Sequence, residues 1–207
     1  MTTADPLSAV RDYYTRRLAE HGPTPRGVDW NSADSQETRF RQLLRLCDAP
    51  GRQTLGDYGC GYGAMLEFAR SGGFAGGYRG YDIAPAMVAA ARSRFAADPA
   101  ARFGTDESVL DGCDVVVASG IFNVRLTAPV SEWEGYVFRT IDRLAALARR
   151  GFGFNALTSY SDPDRMRPDL YYPDPCRLFD HCKRRHSRHV ALLHDYGLYE
   201  FTILVRY

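Results

Sequence analysis

Leu55-Gly56-Asp57-Tyr58-Gly59-Cys60-Gly61-Tyr62-Gly63 places an acidic residue two positions ahead of three alternating glycines. The stretch precedes Ala64-Met65-Leu66 and reads as a strand-to-helix junction. A turn this tight, beside a ligand, calls for residues that accept unusual backbone angles and carry no Cβ. Such loops are typical of folds that hold a small-molecule cofactor.

Outward from this loop, strands alternate with helices. Strands are predicted over 53–58, 77–82, 101–104, 113–118 and 151–156, and helices over 62–71, 85–96 and 132–149. Asp114-Val115-Val116-Val117-Ala118 is the clearest strand, a continuous apolar run of the kind covered on both faces. This alternation predicts an α/β fold, a doubly wound and mainly parallel sheet with helices on both sides. The end differs: after a short helix near 175–185, His189–Leu193 and Tyr199–Val205 read as two strands joined through Asp195-Tyr196-Gly197, an antiparallel hairpin. Between the strand at 151–156 and that helix, residues 157–175 hold four prolines with many Asp, Ser and Tyr, too long and irregular for a routine connection.

Ahead of the sheet, Leu7, Val10, Tyr14 and Leu18 form one apolar stripe on a helix over 5–20 that stops at His21-Gly22-Pro23. A loop over 22–33 holds Trp30. Asp34 with Glu37 reads as a capping box for a second helix, whose apolar face is Phe40, Leu43, Leu44 and Cys47 and whose stop is Asp48–Gly51. Residues 1–52 are thus a helical N-terminal cap on a core of 53–207, together one domain, as 207 residues suggest.

Composition narrows the function classes. A net charge of +1 removes the strongest argument for bulk polyanion binding, and 45% hydrophobic with 25% charged residues is ordinary for a soluble globular protein. The run Lys183 to His189 reads as a solvated helix end rather than a nucleic-acid patch. Five scattered cysteines point to reduced thiols and a cytoplasmic location, and no segment approaches a membrane span. Cys176, His181, Cys182 and His186 match no recognised zinc spacing, so no metal site is expected.

Gly59-x-Gly61-x-x-Ala64 also satisfies the relaxed dinucleotide fingerprint. The third glycine at 63 and the terminal hairpin favour another assignment. An acidic-x-Gly-x-Gly-x-Gly loop after the first strand, Asp82 ending the second, Asp106 after the third, an apolar fourth strand and a closing hairpin together resemble the class I S-adenosylmethionine-dependent methyltransferases. The resemblance covers roughly residues 53–207 and implies a seven-stranded sheet.

It also implies roles. Gly59, Cys60 and Gly61 would bring backbone against the methionyl part of S-adenosylmethionine, and Asp57 would bind its ammonium. Asp82 would accept from the ribose hydroxyls, Ile83 and Met87 would lie along the adenine, and Asp106 would meet its amine. Ser119 and Gly120 would stand beside the sulfonium. From the cap, Trp30 and Arg39 are added to the cofactor set, Arg39 to neutralise the cofactor's carboxylate.

Substrate residues are expected after strands four, five and six, at the carboxyl end of the sheet. Asn123 beside Phe122 would orient a polar acceptor against an apolar wall. Asn155 reads either as a buried amide bridging backbone groups or as a catalytic group, and His194 either as a hairpin cap or as a base. Tyr14, Tyr160, Tyr171 and Tyr172 supply aromatic and phenolic contacts. Arg165 and Arg167 would bind an anion or pair with the neighbouring acids. The expected reaction is in-line transfer of a methyl group to oxygen or nitrogen of a small molecule. RNA or protein as acceptor, and a non-catalytic cofactor-binding partner subunit, are the alternatives; oligomeric state is not readable.

Overall fold

The computed structural model describes residues 6–30, 32–49 and 51–207. Residue 5 of the first predicted helix, Asn31 of the Trp30 loop and Pro50 of the predicted stop lie outside these. Helices are α1 (Pro6–His21), α2 (Ala33–Leu43), α3 (Ala64–Ser71), α4 (Pro85–Arg94), α5 (Val130–Leu147) and α6 (Pro175–Arg185). Strands are β1 (Thr54–Tyr58), β2 (Gly77–Tyr81), β3 (Ala101–Gly104), β4 (Val115–Ala118), β5 (Gly151–Leu157), β6 (His189–Leu193) and β7 (Glu200–Arg206).

The seven strands form one sheet in the order β3-β2-β1-β4-β5-β7-β6. β1 to β5 are parallel, and β7 enters antiparallel between β5 and β6. β4 shows why helices cover both faces: Val116 and Ala118 join the core under α5 and α6, whereas Val115 and Val117 join the one under α2, α3 and α4. Side chains alternate across a strand, so an unbroken apolar run needs cover on either side. α5 supplies Trp133, Val137, Ile141 and Leu144 to the first core, a stripe at helical spacing.

Two helix starts depart from the sequence reading. α2 is capped by Ser32, whose hydroxyl accepts from the Ser35 backbone N–H at 3.2 Å, and not by an Asp34–Glu37 box. Asp34 instead sits in the first turn, where its charge suits the helix dipole. α3 begins at Ala64 rather than 62, because Gly63 is its N-cap at φ +85°.

The segment 157–175 is pinned to the loop after β4. Tyr171 N–H donates to the Asn123 carbonyl at 2.8 Å, the Asp169 carbonyl accepts from Arg125 and Leu126, and Val124 bridges Leu170. The Arg125 guanidinium adds bonds to the carbonyls of Leu170 and Pro168. These bonds satisfy backbone groups that no sheet ladder reaches.

Candidate active site

Two adjoining cavities open at the carboxyl ends of the parallel strands, under α1 and the Trp30 loop. Tyr14, Val28, Trp30 and Gly120 line both and divide them. The first cavity is the tighter, about 110 Å³, and the second about 410 Å³. The second lies within the size range of small-molecule sites.

Sequence-adjacent loops build the first cavity: 57–65 after β1, 81–83 after β2 and 119–121 after β4. Gly59, Gly61 and Gly63 have φ of +83°, +53° and +85°, the left-handed region that side chains disfavour. The Tyr81 carbonyl at the end of β2 accepts from Gly59 N–H at 2.7 Å and from Cys60 N–H at 2.9 Å, which holds the loop against its neighbour strand. Gly120, at φ +76°, leaves room for Trp30; a Cβ there would sit 2.4 Å from the indole.

Asp57 and Asp82 are the carboxylates of this cavity. Asp57 is buried and accepts one bond from the Tyr78 hydroxyl on Oδ2, while Oδ1 is buried without a partner among the described residues. Burial pushes its pKa up to about 7 against the Tyr78 hydrogen bond, which lowers it. Asp82 accepts from Gly61 N–H at 2.9 Å and from Ala84 N–H at 2.8 Å, and burial raises it to about 6. An ionised carboxylate offers about four acceptor positions, so each Asp82 oxygen keeps one free.

The second cavity is walled by long-range side-chain pairs. Arg39 on α2 donates to both Glu200 oxygens, at 2.6 and 2.7 Å, across 161 residues of chain. Both groups are buried, and the Arg39 guanidinium lies 4.1 Å over the Trp30 ring. Asn123 donates from Nδ2 to Glu200 at 3.3 Å and accepts from Leu157 N–H at 3.1 Å. Tyr172, Arg165 and Arg167 close the far side, where the Tyr172 hydroxyl accepts from Arg167 N–H at 3.0 Å.

Not every candidate reaches a cavity. Trp30, Asp57, Gly59, Cys60, Gly61, Asp82, Ile83, Met87, Ser119 and Gly120 line the first, with Tyr14. Arg39 lines only the second, and its charge is already paired with Glu200, which leaves no free guanidinium for a cofactor carboxylate. Asp106 is exposed and caps a turn, accepting from Ser108 N–H at 2.8 Å. Phe122 is fully buried in the core, where its carbonyl accepts from Trp133 Nε1.

Asn155 is a buried bridge. Its Oδ1 accepts from Gly120 N–H at 2.8 Å and its Nδ2 donates to the Ser119 hydroxyl at 3.1 Å, so it shapes the first cavity from behind. Tyr171 packs into the core and donates to Glu134, and Tyr160 is 68% exposed. His194 is exposed beside the Tyr160 ring and lines neither cavity, because the chain leaves β6 at Leu193 and turns outward. Arg165 pairs with Asp164 at 3.8 Å, and Arg167 pairs with Asp169 at 2.6 Å.

Glu200, Asp29 and Gln36 are cavity residues that sequence reasoning missed. A signal existed for Glu200: it heads an otherwise apolar strand, and Arg39 lies on the apolar face of its helix beside Phe40 and Leu43. Two unmatched charges at apolar positions imply a pair.

A doubly wound sheet that presents a glycine loop, a buried carboxylate and a half-buried one at its carboxyl ends defines a nucleotide-type cofactor binder. "Putative methyltransferase Rv1506c" of Mycobacterium tuberculosis (strain ATCC 25618 / H37Rv) is 53% identical over 163 residues, which is 79% of this chain and 98% of that protein. The chain belongs to the class I S-adenosylmethionine-dependent methyltransferases. No protein-family model matches it.

Solved structures agree on the fold. Magnesium protoporphyrin IX methyltransferase (ChlM) from Synechocystis PCC 6803, crystallised with bound S-adenosylmethionine, superposes with a TM-score of 0.67 at 16% identity, covering 100% of both chains. Human N-acetylserotonin methyltransferase gives 0.63 at 16% identity, over 100% of this chain and 60% of that one. In the described residues no helix is long and apolar enough to cross a membrane.

Proposed function

We propose that the first cavity holds S-adenosylmethionine and the second a polar small molecule, whose oxygen or nitrogen accepts the methyl group. One observation carries this reading: two cavities of different character meet at Tyr14, Trp30 and Gly120, beside the end of β4. A transfer between two ligands needs such adjacency, because holding reactants in line supplies much of the rate enhancement.

The residues present fit the cofactor. The unpartnered Asp57 Oδ1 is an acceptor that an ammonium group would satisfy. Asp82 keeps acceptor positions for ribose hydroxyls, and Ile83 and Met87 offer an apolar flank. When bound, S-adenosylmethionine supplies a methyl carbon already activated by its sulfonium. The chain's own part is to bind, align and exclude water.

On the acceptor side, Asn123 and Glu200 form a polar wall against Tyr172. The porphyrin and N-acetylserotonin methyltransferases named above have small-molecule acceptors in their names, which supports the same class here. The cationic run Lys183 to Arg185 ends α6, and none of its residues lines either cavity, which weighs against an RNA acceptor. The five free thiols accord with a cytoplasmic setting.

Calorimetry with S-adenosylmethionine and its demethylated product tests the cofactor half. Binding is expected for the wild-type chain and at least a hundredfold loss for Gly61→Val, whose side chain would project into the cavity from a φ of +53°. Heat from a nicotinamide dinucleotide instead would sink the assignment. For the acceptor half, transfer of a labelled methyl group is followed in fractionated cell extract. Label confined to RNA or protein would replace the small-molecule reading.

A further inference from the structure

On the opposite end of the molecule, α5 and α6 bring three donor groups together that the methyltransferase site does not use. Asp142 Oδ1 lies 2.7 Å from His181 Nε2 and 2.8 Å from His186 Nε2. All three donor atoms fall within 4.8 Å of one another. None of the three residues lines either cavity. His186 packs edge-on against Phe152, the second residue of β5, which puts the cluster at the amino ends of the parallel strands.

We propose that Asp142, His181 and His186 form a binding site for a divalent transition-metal ion of the zinc or cobalt class, which clamps α6 to α5. Two imidazoles and one carboxylate are a common donor set for such ions, with water in the fourth position. Both rings are largely covered, at 15% and 13% side-chain exposure, whereas Asp142 at 35% leaves one side open to solvent. That combination fixes three ligands and admits a fourth.

The nitrogen–oxygen separations need little adjustment. With metal–ligand bonds of about 2.0–2.2 Å, two donors on a tetrahedral ion stand about 3.3 Å apart. The present nitrogen–oxygen separations must therefore widen by roughly half an ångström, within the reach of small side-chain rotations. Arg185 Nη2 holds the other oxygen of Asp142 at 3.4 Å, the outer contact that orients a ligating carboxylate. The rings are flanked by Phe138 and Phe152, so neither can swing far.

The sequence reading finds no recognised zinc spacing among Cys176, His181, Cys182 and His186. Residues five apart on an α-helix differ by about 140° around its axis, so His181 and His186 share no helical face. His186, however, is the C-cap of α6, and its ring turns back across the helix end to meet Asp142. The third ligand comes from another helix, 39 residues upstream of His181.

The test titrates the chelator-treated, reduced full chain with Zn²⁺ in competition with a chromophoric chelator, and with Co²⁺ read by visible absorption. One equivalent per chain is expected, with tetrahedral cobalt bands, no thiolate charge-transfer band, and a thermal midpoint raised by zinc. His181→Gln and His186→Gln, whose amides can still donate to Asp142 and so spare the fold, should each weaken binding at least tenfold and remove the thermal shift. His189→Ala, on an exposed neighbour, should change neither. Absence of stoichiometric binding to the wild-type chain, binding unchanged in the glutamine variants, or a thiolate band would each overturn the proposal. S-adenosylmethionine binding is read separately, so neither result depends on the other.

Discussion

The two cavities share a wall but are built by different means. The polar and backbone lining of the first is made by turns that follow their own strands at once, Gly59–Tyr62 after β1, Asp82 after β2, Ser119 and Gly120 after β4, and the cap adds mainly apolar side chains such as Leu7, Val10 and Phe40. The second is made by side chains from the cap, the head of β7 and the 157–175 segment, joined by contacts such as Arg39 to Glu200. Backbone turns suit a cofactor that is the same in every family member. Side chains brought from far along the chain suit an acceptor particular to this one.

Removing Arg39 should break that contrast most severely. Arg39→Ala leaves Glu200 as a buried, unpaired charge and is expected to cost about 3–5 kcal/mol in denaturant unfolding. The double variant Arg39→Met, Glu200→Leu should recover most of that loss, because apolar residues of similar volume often replace a buried pair without penalty. If Arg39→Ala instead kept its stability and lost affinity for the cofactor, the guanidinium would belong to the first cavity and the division drawn above would fail.

Asp57 tests the first cavity from within. Asp57→Asn keeps an acceptor for the Tyr78 hydroxyl and removes the charge that an ammonium would meet, so affinity should fall about ten- to a hundredfold, or about 1.5–3 kcal/mol. The pH dependence carries a definite sign. With its pKa raised to about 7, wild-type Asp57 must ionise before it pairs with a cation, so affinity should rise from pH 5.5 to pH 8. In the free protein a raised carboxylate favours folding below its ordinary pKa, and that contribution is lost as pH rises through about 7. Asp57→Asn should therefore gain stability relative to wild type between pH 5 and 8. Flat affinity across that window would place the ammonium elsewhere.

These expectations also mark what the chain discloses when read as letters. β3 at 101–104, α6 at 175–185 and β6 at 189–193 fall where periodicity and punctuation put them, because the signals are local: an apolar period, a proline at a helix start, a Tyr-Gly turn. The glycine loop was legible for the same reason. The pairing of Arg39 with Glu200 is not legible because the two stand 161 residues apart, and Asp34 reads as the cap of α2 because Ser32 and Asp34 are both good cap residues separated by half a turn. Tyr160 and His194 were placed in the site by strand order alone, yet where an irregular segment points its side chains depends on contacts that no period encodes. No sequence spacing joins Asp142 to His181 and His186, because their meeting is a matter of helix packing.

The smallest effect sharpens the acceptor side. Tyr172 lines the second cavity and its hydroxyl accepts a backbone N–H from Arg167, an exposed residue, so its removal should leave the fold intact. Tyr172→Phe is expected to raise KM for the acceptor about fivefold, near 1 kcal/mol, while cofactor affinity stays unchanged. His194→Ala, outside both cavities, should change neither quantity, since exposed substitutions away from a site usually stay within about 0.5 kcal/mol. The two variants must be read as a pair. An acceptor effect at His194 with none at Tyr172 would mean that the acceptor lies over the hairpin edge rather than in the second cavity, and the adjacency from which methyl transfer was argued would be lost with it.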